Sequence, residues 1–348
     1  MSHTKPAPRA ALTLATILLG GLAGTSMVLA QAAPMSDADI QSLTTAAKAE
    51  GTFTIYSGQS EETLQQYVDA FEKATGIHGQ FVRATGNTAT QRISAEEAGG
   101  GVQADVIGTS EDVWFDDNAK IFAPLSKSGL PSLANWPASS YNDTHIQQTL
   151  GTIGLQYNTS NVDAASLPKQ WTELTDPKWK GRLLLTDPQG SANYTGWVVA
   201  MAKAHGNQYL QDIAKLDLTF VSSGATAAQQ VAAGAKDINA PTLATFSTGL
   251  KGQGAPIDFF APSNPTLANS FNYGLVANSP HPNAGKLFMN WLLSDEGIDI
   301  ACHASQVSSP RFPQGDHGCE AMPSDIQLVP YGITADQTGP LFDALGVK

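Results

Sequence analysis

Between residues 52 and 119 a short β-branched or aromatic run gives way, three times over, to a polar turn and then a helix-forming stretch. The first run, 52–56, reads TFTIY and passes into Ser57-Gly58-Gln59-Ser60. Leu64, Tyr67, Val68 and Phe71 then recur at the i, i+3, i+4, i+7 spacing of one helix face. Glu61 and Glu62 stand in its first turn, where carboxylates meet the positive end of the helix dipole, and Thr75-Gly76 ends it. Residues 79–83 form the next strand candidate, Thr85-Gly86-Asn87 its turn and 88–98 its helix. A third strand at 104–108 opens through Thr109-Ser110 into a helix over 111–119. This alternation argues for a parallel sheet flanked by helices.

The rest of the chain repeats the theme. Strands are expected at 153–157, 182–186, 216–221, 257–261 and 271–277, and helices at 194–204, 207–214, 226–233 and 282–293. The chain's 348 residues suggest two domains at roughly 150 residues each. No low-complexity tether separates the two blocks, so short crossing strands should join them and leave a cleft between. Hydrophobic residues at 42% are too many for a disordered chain. A net charge of −12 argues against a nucleic-acid or anionic-membrane surface.

The first thirty residues read differently. Lys5 and Arg9 precede an uncharged stretch over 10–30 that ends Val28-Leu29-Ala30, the small-residue pattern a signal peptidase reads. Residues 1–30 are therefore expected to be a signal peptide cleaved before Gln31. The alternative is an uncleaved anchor, which Gly20, Gly21, Gly24, Thr25 and Ser26 disfavour by diluting the apolar run. Cys302 and Cys319 are the chain's two cysteines, and an even count in an exported protein reads as a disulfide. His303 and His317 beside them leave a zinc site as the alternative.

In open parallel sheets, ligands bind beyond the carboxyl ends of strands, where loops feed helix N-termini. The loops there share one chemistry: Ser57, Gln59, Asn87, Ser110, Ser191, Asn193, Tyr194 and Ser223 offer hydroxyl or amide groups beside unpaired backbone N–H groups. The alternative for each is an N-cap and nothing more, for which Ser, Thr and Asn are the preferred residues; the same chemistry on both blocks is what suggests a shared ligand. Trp114 and Trp197 fit helix-face packing better than ligand platforms, and Arg83 fits either an anion or a surface ion pair. No nucleophile elbow, Walker loop, paired-His helix or dinucleotide fingerprint occurs, and His78, His145, His205 and His281 lack metal-ligand spacing.

Five segments together resemble the substrate-binding proteins of ABC importers, in the branch of ferric-ion, phosphonate, thiamine and phosphorylated-sugar binders. They are EGTFTIYSGQSEE at 50–62, FEKATGI at 71–77, ADVIG at 104–108, WTELTDPKWKGRL at 171–183 and SPHPNAGKLFMNWLLSDEG at 279–297. The resemblance implies an α/β fold of the periplasmic-binding-protein-like type II class, with two α/β lobes, a hinge and an interlobe cleft. Lobe I is expected at 37–150 plus 268–310 and lobe II at 151–267 plus 311–348. The implied protein is a periplasmic, monomeric, non-enzymatic receptor without a cofactor, partnered by a small-molecule ligand and an inner-membrane ABC permease, and not by nucleic acid.

The iron branch of that family places a His where Ser60 stands, and paired tyrosines where Asp237-Ile238-Asn239 continues into Ala240-Pro241. Glu111 alone resembles its acidic ligand. A hard ferric ion would lack its expected donors, so the expected solute is a small organic anion: a phosphonate, phosphate ester or carboxylate. Ferric iron is the first alternative, and an exported hydrolase using the Cys/His segment near Cys302 is the second.

Overall fold

The computed structural model describes residues 1–3, 32–84 and 86–347. Apart from its first three residues and Thr85, what lies outside that range is the expected leader with Gln31, and Lys348. The first part of the chain runs α1 (Asp37–Glu50), β1 (Thr52–Ser57), α2 (Glu61–Thr75), β2 (His78–Arg83), α3 (Gly86–Ala98), β3 (Val106–Thr109) and α4 (Asp112–Asp117). Short 3-10 turns lead into the long β4 (Ile146–Asn158). Then come β5 (Leu183–Thr186), α5 (Ala192–His205), α6 (Asn207–Ala214), β6 (Thr219–Val221), α7 (Gly224–Ala232), β7 (Ile238–Leu243), α8 (Thr245–Gly252) and β8 (Ile257–Phe260). The chain returns through β9 (Thr266–Leu275), α9 (Pro282–Leu292) and α10 (Asp295–Ser305), and continues into β10 (Ile326–Leu328) and α11 (Ala335–Leu345).

The strands form one hydrogen-bonded path, β2-β1-β3-β9-β4-β7-β5-β6, with β10 added on β9 and β8 on β4. Parallel pairing holds within each half, for β2-β1-β3 and for β7-β5-β6. The joining strands break it: β9 runs antiparallel to both β3 and β4, and β4 antiparallel to β7. The sheet is therefore mixed, and the purely parallel expectation is corrected at the crossing. Those crossings are also longer than expected, since 153–157 and 271–277 capture only the far parts of β4 and β9.

Two cores flank the crossing. The first draws on residues 43–146 and 273–319, the second on 153–267 and 329–347. β4 carries Ile146 into the first and Ile153 into the second, and β9 does the same with Tyr273 and Leu267. The α2 face lands where its spacing places it, with Leu64, Tyr67, Val68 and Phe71 all buried. Ser60 caps that helix by accepting from the Thr63 N–H at 3.1 Å, and Gly76 closes it in the left-handed region at φ 76°.

Several motif residues turn out to be scaffold. The buried Asp105 carboxylate of ADVIG accepts from the Thr54 N–H at 2.7 Å and the His281 N–H at 2.8 Å. Glu50 accepts from the Asn283 and Ala284 N–H groups at 3.2 and 2.7 Å. Two carboxylates thus meet the donor-rich start of α9 and lock it against β1 and α1. In the second core Trp171 is fully buried, gives its indole N–H to the Pro265 carbonyl at 3.1 Å and lies 5.5 Å from the Trp197 ring.

Gly154 is forced by the close antiparallel approach of β8 to β4. A Cβ there would stand 2.3 Å from the Phe260 carbonyl oxygen, a backbone atom with nowhere to retreat. Cys302, in the last turn of α10, and Cys319 are joined in the expected disulfide, so neither thiolate is available to a metal. Among the described residues no helix is long and apolar enough to cross a membrane.

Candidate ligand-binding cleft

A cleft of about 1050 Å³ opens between the two lobes. Thr149, Gly151 and Thr152 of β4 and Asn269 and Phe271 of β9 lie along it, so the crossing strands supply its floor. The first-lobe wall comes from the loops after β1 and β3, and the second-lobe wall from the starts of α5, α7 and α8. Strand ends feed helix starts on both sides, which is why polar loops from distant parts of the sequence converge.

The structure distributes the eight expected contacts unevenly. Gln59, Ser110, Ser191, Asn193, Tyr194 and Ser223 all line the cleft. Ser57 does not: it is buried beneath, with its Oγ accepting from the Gln59 N–H at 3.3 Å. As the last β1 residue, paired with Arg83 and Gly108, it is held in the sheet while Gly58 carries the chain up to the cleft. The Asn87 side chain lies outside the described residues. Tyr194 is 4% exposed, and burial pushes its phenol well above the ordinary range. A Cβ on Gly224 would stand 2.8 Å from its oxygen and 2.7 Å from Phe246, so only glycine lets α7 start this close. Ser223 fulfils the simpler reading, accepting from the Thr226 N–H at 3.1 Å as the α7 cap. Ser191 heads α5 without making a side-chain cap bond, which leaves its hydroxyl for other work.

Sequence reasoning missed Tyr331. It follows β10, packs against the second core, and donates its hydroxyl to Asn193 Oδ1 while lying beside Ser110 of the first lobe. Gly332, next in the chain, comes within 3.7 Å of Val113 on α4 when a Cβ is placed on it. Two of the expected contacts, Ser110 and Asn193, thus meet through a residue from the aperiodic tail. No periodicity, cap or turn signal marks such a position. Trp197 packs inside the second core as expected, and Trp114 also packs as expected, against Phe115 and Phe122, while its half-buried ring lines the cleft. Arg83 is exposed at the rim and donates from Nε to the Gln59 carbonyl at 3.0 Å.

Arg83 is the basic side chain on the described lining, set against the carboxylates of Glu111, Asp117 and Asp187. Asp187 is occupied in capping Gln189, accepting from its N–H at 2.9 Å. Glu111 is half-buried, and burial alone pushes its carboxyl up from 4.5. The folded state therefore holds a proton on Glu111 more tightly than the unfolded chain does. Stability is then greatest below the ordinary value and falls as pH rises through the raised one. Glu111→Gln is expected to raise the thermal midpoint at pH 7, with the gain vanishing below pH 4.5. Thermal unfolding of both forms across pH 3.5–8 checks it; a lower midpoint for the variant at pH 7 refutes it.

Comparisons with known proteins agree with this architecture. Residues 57–299 match the family described as bacterial extracellular solute-binding protein. The chain is 27% identical over 270 residues to the Fe(3+)-binding periplasmic protein of Serratia marcescens, covering 73% of this chain and 77% of that one. It is 25% identical over 294 residues to the putative 2-aminoethylphosphonate-binding periplasmic protein of Salmonella typhi, covering 77% and 82% respectively. The crystal structure of iron-bound HitA from Pseudomonas aeruginosa superposes with a TM-score of 0.65 at 24% identity, covering 85% of this chain and 97% of that one. These relatives are binding proteins, and the shared fold is the type II periplasmic-binding-protein class. With its two lobes, antiparallel crossing strands and polar interlobe cleft, the chain belongs to the bacterial extracellular solute-binding protein family.

Proposed function

We propose that the protein is a periplasmic receptor that captures a small organic anion in the cleft and delivers it to an ABC importer. The observation that carries this reading is the second-lobe wall, where α5, α7 and α8, of 14, 9 and 8 residues, all begin at the cleft. Helix starts present unpaired N–H groups and a partial positive charge, the two things an oxyanion needs. Ser191 adds a hydroxyl that caps nothing, and Ser222 lies beside it on the same wall. The contacts we assign are Gln59, Ser110, Ser191 and Asn193, with the α5 and α7 amides.

The lobes would turn about the β4–β9 pair. Their limits are taken as 37–150 plus 268–319 for the first and 151–267 plus 329–348 for the second, which moves the last boundary from the expected 310/311 to between Cys319, in the first core, and Val329, in the second. Export through a cleaved leader and docking on a permease complete the reading.

Relatives named for ferric iron make iron the competing cargo. The donor set argues against it. Among the described residues no three His, Cys, Asp or Glu side chains are grouped to hold a metal ion. Tyr331 gives its hydroxyl to Asn193 Oδ1 and Tyr194 is 4% exposed, so neither phenol stands open to the cleft as an iron donor.

A thermal-shift panel of phosphate, phosphonates, phosphate esters, carboxylates and ferric citrate tests the proposal. One anion is expected to stabilise the protein by about 2.7 kcal/mol at a hundredfold excess over its Kd. Ser191→Ala is expected to weaken that anion by about tenfold, the loss of one hydrogen bond to a charged group. Stabilisation by ferric salt alone, or turnover of the stabilising compound, overturns the reading.

A further inference from the structure

We infer that Tyr331 is a positioning residue for solute capture: its hydroxyl turns the Asn193 amide so that Nδ2, and not Oδ1, is offered to the anion. This rests on the anion reading of the cleft.

Asn193 is the second residue of α5, so its backbone N–H is among those that a helix start leaves unpaired. Its side chain can set beside that N–H either a second donor or a repelling carbonyl oxygen, because an amide carries both. Tyr331 decides between them. Its O–H donates to Oδ1, and among the described residues Nδ2 donates to none. With the oxygen taken, the nitrogen is the end left for the cleft that Asn193 lines. The phenol oxygen keeps its lone pairs for Ser110 of the first lobe, whose hydroxyl lies beside it. One ring thus holds a contact on each wall of the cleft.

A second observation is independent of that hydrogen bond: the backbone carrying Tyr331 is pinned to the second lobe on both sides. β10 pairs with β9 in parallel, and the Val329 N–H extends the pairing to the Ala268 carbonyl at 2.9 Å. Farther on, α11 sends Leu345 into the second core. Gly196 lies three residues after Asn193, on the same face of α5. A Cβ there would stand 2.6 Å from the Pro330 carbonyl oxygen and 2.9 Å from Val329 Cβ. Glycine therefore lets residues 329–331 run directly along α5 and brings the phenol to position 193. Packing alone would not call for the hydroxyl, since phenylalanine fills the same space.

Tyr331→Phe removes the hydroxyl and keeps the ring packed, so it separates the two roles. In the solute-free protein, 15N relaxation of the Asn193 side chain, assigned by its loss in Asn193→Ala, reads the hold directly. The order parameter is expected at about 0.85 in the wild type and below about 0.6 in Tyr331→Phe. Calorimetry with methylphosphonate, methyl phosphate and acetate reads the consequence. Whichever binds is expected to bind Tyr331→Phe about fivefold more weakly. Asn193→Asp tests the orientation, because aspartate still accepts from Tyr331 but sets a carboxylate oxygen where Nδ2 stood. Binding is then expected to fall by about a hundredfold or more. Affinity of Asn193→Asp within about threefold of the wild type, or an unchanged order parameter in Tyr331→Phe, overturns the inference and leaves the anion reading standing. If none of the three binds the wild type, the anion reading falls, and the order parameters alone judge the hold of Tyr331 on Asn193.

Discussion

Phe71→Ala is expected to lower the unfolding free energy by about 3–5 kcal/mol, the range for emptying an aromatic position in a packed core. Phe71 is fully buried and stands edge-on to three rings: Phe53 at 5.0 Å, Phe288 at 5.3 Å and Trp291 at 5.8 Å. Those rings belong to β1 and α9, and neither element is free to close the gap. β1 is paired on both sides, by β2 and β3, and α9 is held at its start by the Asp105 and Glu50 carboxylates. The cavity should therefore persist, which places the cost at the upper end of the range. Urea unfolding of the two forms measures it, and a loss below 1 kcal/mol would show that the first lobe repacks around the hole.

Replacing Cys302 and Cys319 together by serine is expected to cost about 3 kcal/mol, the chain entropy released when a loop of this size opens in the unfolded state. Both cysteines lie in the first core, at 1% and 6% exposure, so burying two serine hydroxyls there adds to the entropic cost. The loop spans 17 positions and includes Gln306 and Val307, which line the cleft. Denaturant midpoints of the oxidised protein, the reduced protein and the double variant give the value. Equal midpoints for all three would mean that the bridge adds nothing to folding stability.

Much of the fold was legible because it obeys local rules. The α2 face, its Ser60 cap and its Gly76 stop follow from spacing and backbone preference, and α6 falls on the expected 207–214. The crossing strands were legible only in part. The near half of β4 reads IQQTLGT, and Gln148 and Thr149 are buried there with no apolar alternation to announce a strand. β7 was hidden by Pro241, which ordinarily argues against a central strand; it sits where the β4–β7 register shifts and the ladder needs no donor from it. α1, α8, α10 and α11 escaped notice too.

The candidate site divides the same way. Loops that end strands and start helices could be picked out one at a time, and six of the eight expected residues line the cleft. Ser57, buried beneath the cleft, shows the limit of that method. A loop's composition says which residues are polar, while the rotation of the last strand residue and the first helical turn decides which of them reach the cleft.

What the sequence by itself determined is the strand–turn–helix alternation of each half, helices such as α2 and α6, and the disulfide, because periodicity, caps and cysteine parity act over short distances. Tertiary structure decided what faces the cleft: Tyr331 between Asn193 and Ser110, Asn269 orphaned on the floor, and Glu111 half-buried without a cation. Those relations join residues more than a hundred positions apart. They exist only once β4 and β9 bring the lobes together, and burial, not local pattern, gives each group its chemistry.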